Sequence, residues 1–405
     1  MEPAPAVITP LDEHMGLDIA RSLAKRGIPV YGIDPDPGVP GRHSKCCRFV
    51  LGPNPEGDGA PDYLQFLVEF GRELGQKAVL YPLSDMHVLL CSRHRAALQE
   101  YYEYVMPDHD TVETLLTKDG LQVVARECGI PVPQTVIPSS ASEIETIANS
   151  IQYPAILKPT ESTYWHVPQI TRLLRRELLG ARAKVILCHN RAELVEAYHQ
   201  IAVFDYRLVV QEVIPGENSQ LAYFSFYLDR QSRVLGIFAG RKLRIIPTGF
   251  GSASYVRSFH DRELEEVAFR LLSATRYQGL GGIEFKKDPR DGSYKLIEVN
   301  TRFGMWDGLG VRCGVDLPYI AYCDALHLPI EPQLTYRDEV IWIDWQRDVR
   351  AAIAYWRKGQ LSLSEWLRSL RGEKMWAIYS RDDWRPGVAF TVDLLRRLWE
   401  RIGQR

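Results

Sequence analysis

Two carboxylates and one carboxamide, Glu284, Glu298 and Asn300, are spaced so that they can bind a metal ion together. They lie in the segments GGIEFKKD (281–288) and YKLIEVN (294–300), which have the pattern of two strands of a hairpin. Side chains two positions apart in a strand point to the same face. Their oxygens are hard ligands of the kind that Mg²⁺ prefers, and Mg²⁺ in proteins usually also binds substrate phosphates. This face therefore predicts a nucleotide site.

The apolar residues of the same hairpin alternate with the polar ones. Ile283 and Phe285 flank the glutamate of the first strand, and Ile297 and Val299 flank that of the second. We expect these four side chains to face the core, which leaves the polar set on the opposite face. The pattern alone is also typical of a surface hairpin whose polar face is open to water. The metal interpretation therefore depends on the remaining parts of a nucleotide site.

Cationic side chains that can neutralise phosphates occur in three other segments. Lys118 lies in a segment with helical spacing, and Lys158 ends the apolar strand YPAILKP, immediately before a proline. The predicted strand GRKLR adds Arg241, Lys242 and Arg244, whose odd- and even-numbered members point to opposite faces. A lone lysine at the end of a strand, such as Lys158, is also typical of a solvated surface.

Adenine recognition needs a backbone hinge with hydrogen-bonding groups and apolar walls, and VVQEVIPGEN (209–218) has that composition. A predicted strand leads into a Pro-Gly turn, and Gln211, Glu212, Glu217 and Asn218 offer polar groups to the exocyclic amine and the ribose hydroxyls. An ordinary strand and turn explain the same segment, and Glu217 and Asn218 both fit the ribose position.

These segments must be positioned by a chain of several units. A length of 405 residues suits two or three subdomains rather than one core. A β-α-β pattern at its start predicts a Rossmann-like α/β domain over residues 1–113. Five strand signals within residues 114–330 predict a mainly antiparallel sheet.

The tail, residues 331–405, differs in composition because it holds seven of the nine tryptophans. These are Trp342, Trp345, Trp356, Trp366, Trp376, Trp384 and Trp399. The spacing predicts a helical extension whose amphipathic helices pack on the body of the protein or on a partner. Contact with a membrane surface is an alternative that the interspersed acidic residues disfavour.

Composition and charge exclude several classes of function. The formal net charge is −2, so no global positive field attracts nucleic acid. The seven cysteines include no CxxC pair, which argues against a disulfide framework or a zinc site and favours a reducing compartment. No signal-peptide pattern is present, and no apolar run is long enough to span a bilayer. We therefore expect a cytoplasmic protein without a transmembrane segment.

In chain order, these parts resemble the ATP-grasp superfamily: a helix lysine, a strand lysine, a Gln-Glu hinge, a basic strand and then E…E-x-N-x-R. The resemblance runs from about residue 7 to about residue 330 and points to the carboxylate–amine ligase branch, the D-aspartate ligase-like carboligases. It implies an ATP-grasp fold of α/β and α+β class. In such a fold an N-terminal domain precedes two lobes over residues 114–330 that clasp ATP, with a lid at about 135–210.

The resemblance also implies a reaction. The γ-phosphate of ATP passes to a carboxylate to give an acyl phosphate, and an amine then attacks to form an amide or peptide bond, with release of ADP and phosphate. The expected cofactors are ATP and one or two Mg²⁺ ions, with Mn²⁺ as a substitute. The expected partners are small-molecule or peptide carboxylates and amines, and a homodimer is left open.

Residue roles follow when this sequence is matched to the motif of the superfamily. Glu284, Glu298 and Asn300 hold the metal. The ATP contacts are the two lysines and the hinge: Lys118, Lys158, Gln211, Glu212, Ile214 (through its backbone), Glu217 and Asn218. The catalytic cations, over the acyl phosphate, the phosphates or the carboxylate, are Arg302, Arg241 and Lys242.

Substrate contacts are expected from loops around this site. Asp85 follows a strand of the N-terminal domain, where open α/β sheets bind ligands, although a helix N-cap is an alternative role. Ser252 and Ser254 fit either a substrate contact or the capping of a turn. Trp165 belongs to a bulky, basic stretch, 160–183, where such enzymes often have a loop rich in Gly and Ser. That stretch fits either a grip on a large anionic or aromatic substrate or a solvated lid.

Rival functions make different demands on the sequence. A nucleotide-binding module without turnover is disfavoured by the intact Glu284, Glu298, Asn300 and Arg302 set. A nicotinamide-dependent oxidoreductase needs a Gly-x-Gly-x-x-Gly turn, of which only Gly16 is present. A biotin-carboxylase-like enzyme is the nearest rival among the ligases, and it needs biotin and a carrier.

Overall fold

The computed structural model describes residues 3–12, 14–160, 185–203 and 208–403, and within these ranges the strands form three β-sheets. One sheet is parallel, one is antiparallel, and the largest is antiparallel except at one edge. The predicted mixture of α/β and α+β architecture is therefore confirmed. Across the same described ranges, no helix combines the length and the apolar character that crossing a bilayer requires.

The N-terminal unit alternates strands and helices. Its elements are β1 (Ala6–Thr9), α1 (Met15–Ala24), β2 (Val30–Asp34), β3 (Arg48–Leu51), α2 (Ala60–Glu73), β4 (Ala78–Pro82), α3 (Asp85–Arg93), α4 (Arg95–Leu98), β5 (Tyr102–Glu103) and α5 (His109–Leu116). All five strands are parallel, in the order β3-β2-β1-β4-β5. The strand order reverses between β1 and β4, so the loops after these two strands meet where open α/β sheets bind ligands.

A smaller unit follows. Its elements are α6 (Lys118–Glu127), β6 (Thr135–Val136), α7 (Ile144–Ser150), β7 (Ala155–Pro159), β8 (Ile186–Cys188), α8 (Arg191–Ala202) and β9 (Leu208–Glu212). The four strands form an antiparallel sheet in the order β6-β9-β7-β8. Helices α7 and α8 pack with Leu157 and Val210 on one face of this sheet. By the alternation of strands, Lys158 and Gln211 belong to the opposite face.

The largest sheet occupies the rest of the chain. Its elements are β10 (Leu221–Leu228), β11 (Val234–Ile246), β12 (Ser252–Ser258), α9 (Arg262–Ala274), β13 (Gly279–Lys287), β14 (Tyr294–Asn300), α10 (Gly308–Cys313), α11 (Leu317–Ala325), β15 (Ile341–Ile343), α12 (Trp345–Arg357), α13 (Leu363–Ser369), β16 (Lys374–Trp376) and α14 (Arg385–Gly403). The strand order is β14-β13-β10-β11-β12-β15-β16, and only β15 and β16 are parallel to each other. Helix α9 covers one face, where Phe269 packs edge-on against Phe224.

The tail is not purely helical, because β15 and β16 extend the edge of this sheet. Trp342 of β15 is fully buried. Arg244 of β11 makes a bidentate, buried ion pair with Asp348 of α12, at 2.7 and 2.9 Å, and Asp348 also accepts a hydrogen bond from the Trp366 indole at 2.9 Å. A charge pair of this kind is tolerated in a core only when its hydrogen bonds are satisfied, as they are here. The tail therefore packs on the body of the protein.

The N-terminal unit and the large sheet share one hydrophobic core. At their boundary the Ser22 hydroxyl donates to Asp316 at 2.6 Å, and the Tyr81 hydroxyl donates to the Pro318 carbonyl at 2.8 Å. Helix α1 and strand β4 are thereby held against the start of α11.

Candidate active site

The β13–β14 hairpin brings the predicted metal ligands onto one face of the large sheet. In its register Glu284 lies opposite Glu298, and Gly282 lies opposite Asn300. The Nδ2 atom of Asn300 is 3.4 Å from Oε1 of Glu298. All three polar side chains are half-buried. The hairpin therefore presents two carboxylates and an amide side by side at an accessible surface.

One detail of this hairpin differs from the expected alternation. We expected Ile297 to face the core together with Val299, but the register shifts, so that Leu296 pairs with Phe285. Ile297 is the extra residue of a β-bulge, which re-aims the residues that follow it. Leu296 and Val299 are both buried. The bulge thus allows Glu298 to face away from the core.

Arg241 and Lys242 lie on opposite faces of β11, because consecutive strand residues alternate. Lys242 is on the metal-ligand face and forms an ion pair with Glu284. The Arg241 guanidinium is 4.3 Å from the ring centroid of Phe259, on the face that α9 covers. We expected both cations over the phosphates or the carboxylate, and the structure brings only Lys242 to the metal-ligand face.

The lysines of the smaller unit and the carboxylates of the hairpin lie on elements that contact each other, since α6, which begins at Lys118, packs against β14. The pKa of Lys158 is lowered to about 7, chiefly by burial and then by the charge of Lys118, while Glu298 and Glu284 act in the opposite direction. Coulomb interactions weaken with distance and with solvent screening. These four groups therefore belong to one site.

The two polar side chains of the hinge strand β9, Gln211 and Glu212, point to opposite faces. The Nζ atom of Lys158 donates to Oε1 of Gln211 at 2.9 Å, so both side chains point into the site. Glu212 points to the other face. Its Oε1 accepts from the backbone N–H of Gln134 at 3.0 Å, and its Oε2 is 3.3 Å from Nη1 of Arg290. The Glu212 carboxylate, which we expected near the adenine, is engaged elsewhere, and the Glu212 backbone N–H donates to the Gln134 carbonyl at 2.9 Å.

The turn after β9 is tied to the large sheet. Ile214 is buried, and Gly216 has a positive φ of +95°, which favours glycine. A Cβ atom at position 216 would also collide with the Gln220 side chain. The Lys286 ammonium donates to the Gly216 carbonyl at 3.3 Å. The backbone of the hinge therefore has a fixed position above β13.

The two residues considered for the ribose have different surroundings. The Asn218 amide donates to the Tyr355 hydroxyl of α12, and that hydroxyl also accepts the backbone N–H of Ile245 at 3.5 Å. Glu217 is exposed. The tail thus reaches the hinge and holds one of the two candidate ribose contacts.

Arg302, two residues beyond β14, pairs with the N-terminal unit. Its Nε atom is 2.8 Å from Oδ1 of Asp85. The N-cap of α3 is Ser84, whose hydroxyl accepts from the backbone N–H of His87 at 3.3 Å, so the N-cap alternative for Asp85 is wrong. Burial acts to lower the pKa of Arg302, but the charges around it, Asp85 first and Glu298 among them, outweigh that effect and raise the pKa.

The remaining expected substrate contacts differ in accessibility. Ser254 is fully buried and donates to Asp348 at 3.2 Å, so no substrate reaches its hydroxyl in this conformation. Ser252 begins β12 and is half-buried. Trp165 and the rest of the stretch from residue 161 to residue 184 lie outside the described residues.

One residue of the site was not expected from the sequence. Tyr223 of β10 lies opposite Glu284 and is only 4% exposed, and its hydroxyl has no hydrogen-bond partner within the part of the chain that the structure describes. A Cβ atom on Gly282 would come within 2.1 Å of that hydroxyl, so the ring needs a glycine there. Burial, followed by the carboxylate of Asp307, raises the pKa of Tyr223 well above its usual range. The hydroxyl therefore remains a donor.

The sequence pattern around Tyr223 is only a weak indication that this residue belongs to the site. In LAYFSFYLD this tyrosine shares its face with a serine and a second tyrosine, while the other face carries phenylalanines. The strand is almost wholly apolar, so its pattern does not distinguish the hydroxyl of Tyr223 from the atoms of an ordinary core side chain. Only the pairing of β10 with β13 shows that the ring lies beside Glu284.

The metal-binding capacity of the site is limited. Over the described ranges, no group of three or more His, Cys, Asp or Glu side chains is arranged to hold a metal ion. The hairpin offers two carboxylates and one amide oxygen, which is too few for a cage made by protein alone. Mg²⁺ completes its octahedral shell with water and phosphate oxygens, so this donor set fits Mg²⁺ bound together with a nucleotide.

Solved structures share this architecture, and the chain has the ATP-grasp fold. The biotin carboxylase domain of Hydrogenobacter thermophilus 2-oxoglutarate carboxylase, in complex with MgADP, ADP and bicarbonate, matches with a TM-score of 0.62 and 18% identity, covering 84% of this chain and 74% of that one. The L-amino acid ligase of Bacillus licheniformis matches with a TM-score of 0.57 and 17% identity, covering 81% and 75%. The N5-carboxyaminoimidazole synthetase of Staphylococcus aureus has a TM-score of 0.58 and 14% identity, covering 82% and 79%.

Two proteins related to this chain in sequence are named as ligases. The D-aspartate ligase of Enterococcus faecium (strain Aus0004) is 26% identical over 281 residues, which is 66% of this chain and 63% of that ligase. The D-alanine–D-alanine ligase of Xanthomonas axonopodis pv. citri (strain 306) is 24% identical over 181 residues, or 41% of this chain and 48% of that one. The chain thus spans less than two thirds of either relative. No family model matches it. The resemblance to ATP-grasp ligases is confirmed.

Proposed function

We propose that the protein is an ATP-dependent carboxylate–amine ligase. The γ-phosphoryl group of ATP passes to an oxygen of a substrate carboxylate, giving an acyl phosphate and ADP. The nitrogen of an amine then attacks the acyl carbon, the C–O bond to phosphate breaks, and the nitrogen loses a proton. The products are an amide or peptide bond, ADP and phosphate. The catalytic demand is to position these groups and to neutralise their charge.

One observation carries this proposal. The charges of Lys118, Glu298 and Glu284 all act on the ammonium of Lys158, and α6, which begins at Lys118, contacts β14, which carries Glu298. A triphosphate needs both kinds of group at once, cations for its oxygens and carboxylates for its metal. A surface hairpin open to water, the alternative explanation of the sequence pattern, does not account for two half-buried lysines near its polar face.

Each residue has a role consistent with its position. Glu284, Glu298 and Asn300 would hold one or two Mg²⁺ ions, or Mn²⁺ in their place, which when bound neutralise the phosphates. Lys158 and Lys118 would bind phosphate oxygens. The adenine and ribose would lie along the hinge formed by residues 211–218.

A second group of residues would surround the substrate carboxylate that accepts the phosphoryl group. Arg302 would stabilise the charge on the phosphoryl group and the carboxylate, with Asp85 holding its guanidinium. The Tyr223 hydroxyl, which is buried in this conformation, would donate to the same charge once the bound substrate reaches it. Lys242 would be available once a metal ion competes for Glu284, its present partner. These roles follow from the shared face and from the contacts given above.

The relatives support the substrate class. D-aspartate ligase and D-alanine–D-alanine ligase are named for amino-acid substrates, and the protein from Bacillus licheniformis is an L-amino acid ligase. We therefore propose amino acids or small peptides as the carboxylate and amine. A carboxylating enzyme of the biotin carboxylase type is a second candidate, because proteins of that name share the fold.

The decisive experiment is a screen for ADP release with pairs of amino acids, peptides and amines in the presence of MgATP, with product masses measured. The proposal expects ADP release that needs both substrates and a product lighter by one water than their sum. ADP release that depends on bicarbonate and biotin supports the carboxylating candidate instead. Tight binding of ATP without turnover by any pair points to a binding module.

A further inference from the structure

Helix α12, the first helix of the tail, is bonded at both of its ends to segments that border the candidate site. It packs across β11 and β12 of the large sheet. Its N-cap, Asp344, bonds to His14 of the N-terminal unit, and Tyr355 in its last turn bonds to Asn218 of the hinge. These two residues of the tail are eleven positions apart, which is about 16 Å along a helix axis.

The contact at the start of α12 is buried on both sides. His14 and Asp344 are each 3% exposed, and Nε2 of His14 is 3.3 Å from Oδ2 of Asp344. Burial acts to raise the pKa of Asp344, but the hydrogen bond from His14 and the charges of His14 and Arg347 outweigh it and lower the pKa. The carboxylate is therefore ionised and can only accept, so the imidazole donates. The backbone N–H of Asp344 donates to the Ser254 carbonyl at 3.0 Å, which ties the same residue to β12.

His14 belongs to the loop between β1 and α1, which lies beside Arg302. Oδ1 of Asp12 accepts the backbone N–H of His14 at 3.1 Å, which fixes the path of the loop into α1. The next residue, Met15, contacts the guanidinium, because its Sδ atom is 3.7 Å from Nη1 of Arg302. Asp85 holds the Nε atom of the same guanidinium. The loop is therefore a second support of Arg302, the cation expected at the acyl phosphate.

The contact at the other end of α12 fixes the hinge. The Asn218 amide donates to the Tyr355 hydroxyl, which also accepts the backbone N–H of Ile245 at 3.5 Å. Because its nitrogen is engaged, the plane of the Asn218 amide is fixed. Its carbonyl oxygen then has a set direction in which to accept a hydrogen bond from a ribose hydroxyl.

The candidate site extends over a similar length along β13. The hinge lies above Lys286, whose ammonium donates to the Gly216 carbonyl. Gly282, four residues earlier in the strand, lies opposite Asn300, and four residues of a strand span about 13 Å. Arg302 follows two residues beyond Asn300. Helix α12 is therefore long enough to reach from the hinge to the end of the site where Arg302 lies.

We propose that α12 positions the groups that bind both substrates of the proposed ligase. Through Asp344 and His14 it orients the loop that supports Arg302, and through Tyr355 it orients Asn218 at the hinge. This inference rests on the proposed function. Asp344, His14 and Tyr355 are positioning residues, because they act through Arg302 and through the hinge.

Docking of the tail is the alternative explanation of these contacts. The buried pair of Arg244 with Asp348 already fixes α12 on the large sheet, so neither end contact is needed for docking. The two explanations differ in what the variants change. A docking contact affects stability alone, whereas a positioning contact changes one kinetic parameter and leaves the other as in wild type.

Asp344→Asn tests the start of the helix. Asparagine caps a helix as well as aspartate does, so the cap is kept, while the bond to His14 loses its charge. The kcat for ADP release should fall about tenfold, and the KM for ATP should stay as in wild type. Asp383→Asn is the matched control, because Asp383 is also a buried carboxylate of the tail and accepts from Arg21 of α1 at 3.0 Å. It should lose stability and keep wild-type kinetics.

Tyr355→Phe tests the other end of the helix and should have the opposite effect. The dissociation constant of a nonhydrolysable ATP analogue should rise about fivefold, which is the typical net effect of one neutral hydrogen bond. The kcat should not change. Tyr336→Phe is the matched control, because it removes another hydroxyl of the tail, bonded at 2.9 Å to the Phe259 carbonyl. Its affinity for the analogue should equal that of wild type.

A double variant tests whether Asp344 acts through Arg302. Asp85→Asn removes the other support of the guanidinium, so Asp344→Asn/Asp85→Asn should lose less kcat than the product of the two single losses. Wild-type kcat in Asp344→Asn, or losses that multiply, contradicts the inference at the Arg302 end. Unchanged affinity in Tyr355→Phe contradicts it at the hinge. Wild type that binds the analogue but releases ADP with no pair of substrates overturns the proposed ligase instead, and the affinity of Tyr355→Phe still decides the inference at the hinge.

Discussion

The guanidinium of Arg302 and the carboxylate of Asp85 are joined by an ion pair of 2.8 Å that links the end of β14 to the start of α3. The pair crosses from the large sheet to the N-terminal unit, at the switch point of the parallel sheet. The N-terminal unit therefore contributes to the proposed reaction by orienting the cation expected at the acyl phosphate. A charge-assisted bond of this kind fixes direction as well as position.

Asp85→Asn should lower kcat while the KM for ATP changes little, because the guanidinium loses its anchor but the nucleotide contacts remain. The expected loss is about tenfold, equivalent to roughly 1.4 kcal/mol in the barrier. Steady-state ADP release measures it. Glu103→Gln, which breaks the exposed pair of Glu103 with Lys77 in the same unit, is the control and should keep wild-type kinetics. Unchanged kcat in Asp85→Asn would show that Arg302 needs no anchor.

The affinity for ATP should fall as the pH rises above about 7. Lys158 is protonated below its lowered pKa of about 7 and loses its charge above it, chiefly because burial disfavours the cation. Phosphate oxygens favour the protonated form, so binding at higher pH must take up a proton. The dissociation constant should then approach a rise of about tenfold per pH unit. Calorimetry with a nonhydrolysable ATP analogue, between pH 6 and pH 9, measures this.

Lys158→Arg is the control for that dependence, because a guanidinium stays charged throughout the range. The titration of ATP itself is common to both proteins. The variant should therefore show a much flatter profile. Equal slopes for wild type and Lys158→Arg would mean that Lys158 does not contact the phosphates.

Tyr223→Phe should reduce kcat by about 100-fold, which is the typical effect of removing one preorganised donor. It should leave stability unchanged, because the hydroxyl has no internal partner to lose among the described residues. Tyr227→Phe, on the same strand and face, is the matched control. It breaks a 2.9 Å bond to Asp324 and should cost roughly 1–2 kcal/mol of unfolding free energy without affecting kcat. Full activity of Tyr223→Phe would reduce that tyrosine to a packing residue.

The spacing of residues predicted the sheets and the hairpin better than the directions of single side chains. The strand-rich segments and the β-α-β start are patterns of period two and 3.6, and such patterns survive folding because they decide which face is buried. The face shared by Glu284, Glu298 and Asn300 follows from that period. The resemblance to a superfamily added the order of the parts, which no single pattern contains.

Other features depend on contacts between segments that are far apart in the chain, and the sequence alone could not predict them. Alternation separated Arg241 from Lys242, but only the cover of α9 decides which of them faces the site. The bulge at Ile297 leaves no mark in the local pattern. The partner of Asn218 is Tyr355, 137 residues away, in a tail that was expected to be helical and to pack on the body without a known location. The direction of the Glu212 carboxylate also depends on a residue distant in the chain, Arg290.

The central claim is that the carboxylates of the hairpin bind the divalent ion that accompanies the triphosphate. Calorimetric titration of a nonhydrolysable ATP analogue with and without Mg²⁺ tests it most directly, in wild type, in Glu298→Gln and in Glu263→Gln. Glu263 is an exposed control on α9 whose carboxylate pairs with Lys287 of β13. We predict that Mg²⁺ strengthens binding in wild type and in the control and fails to do so in Glu298→Gln, whose fold is unchanged. Equal Mg²⁺-dependent strengthening in Glu298→Gln would contradict the account.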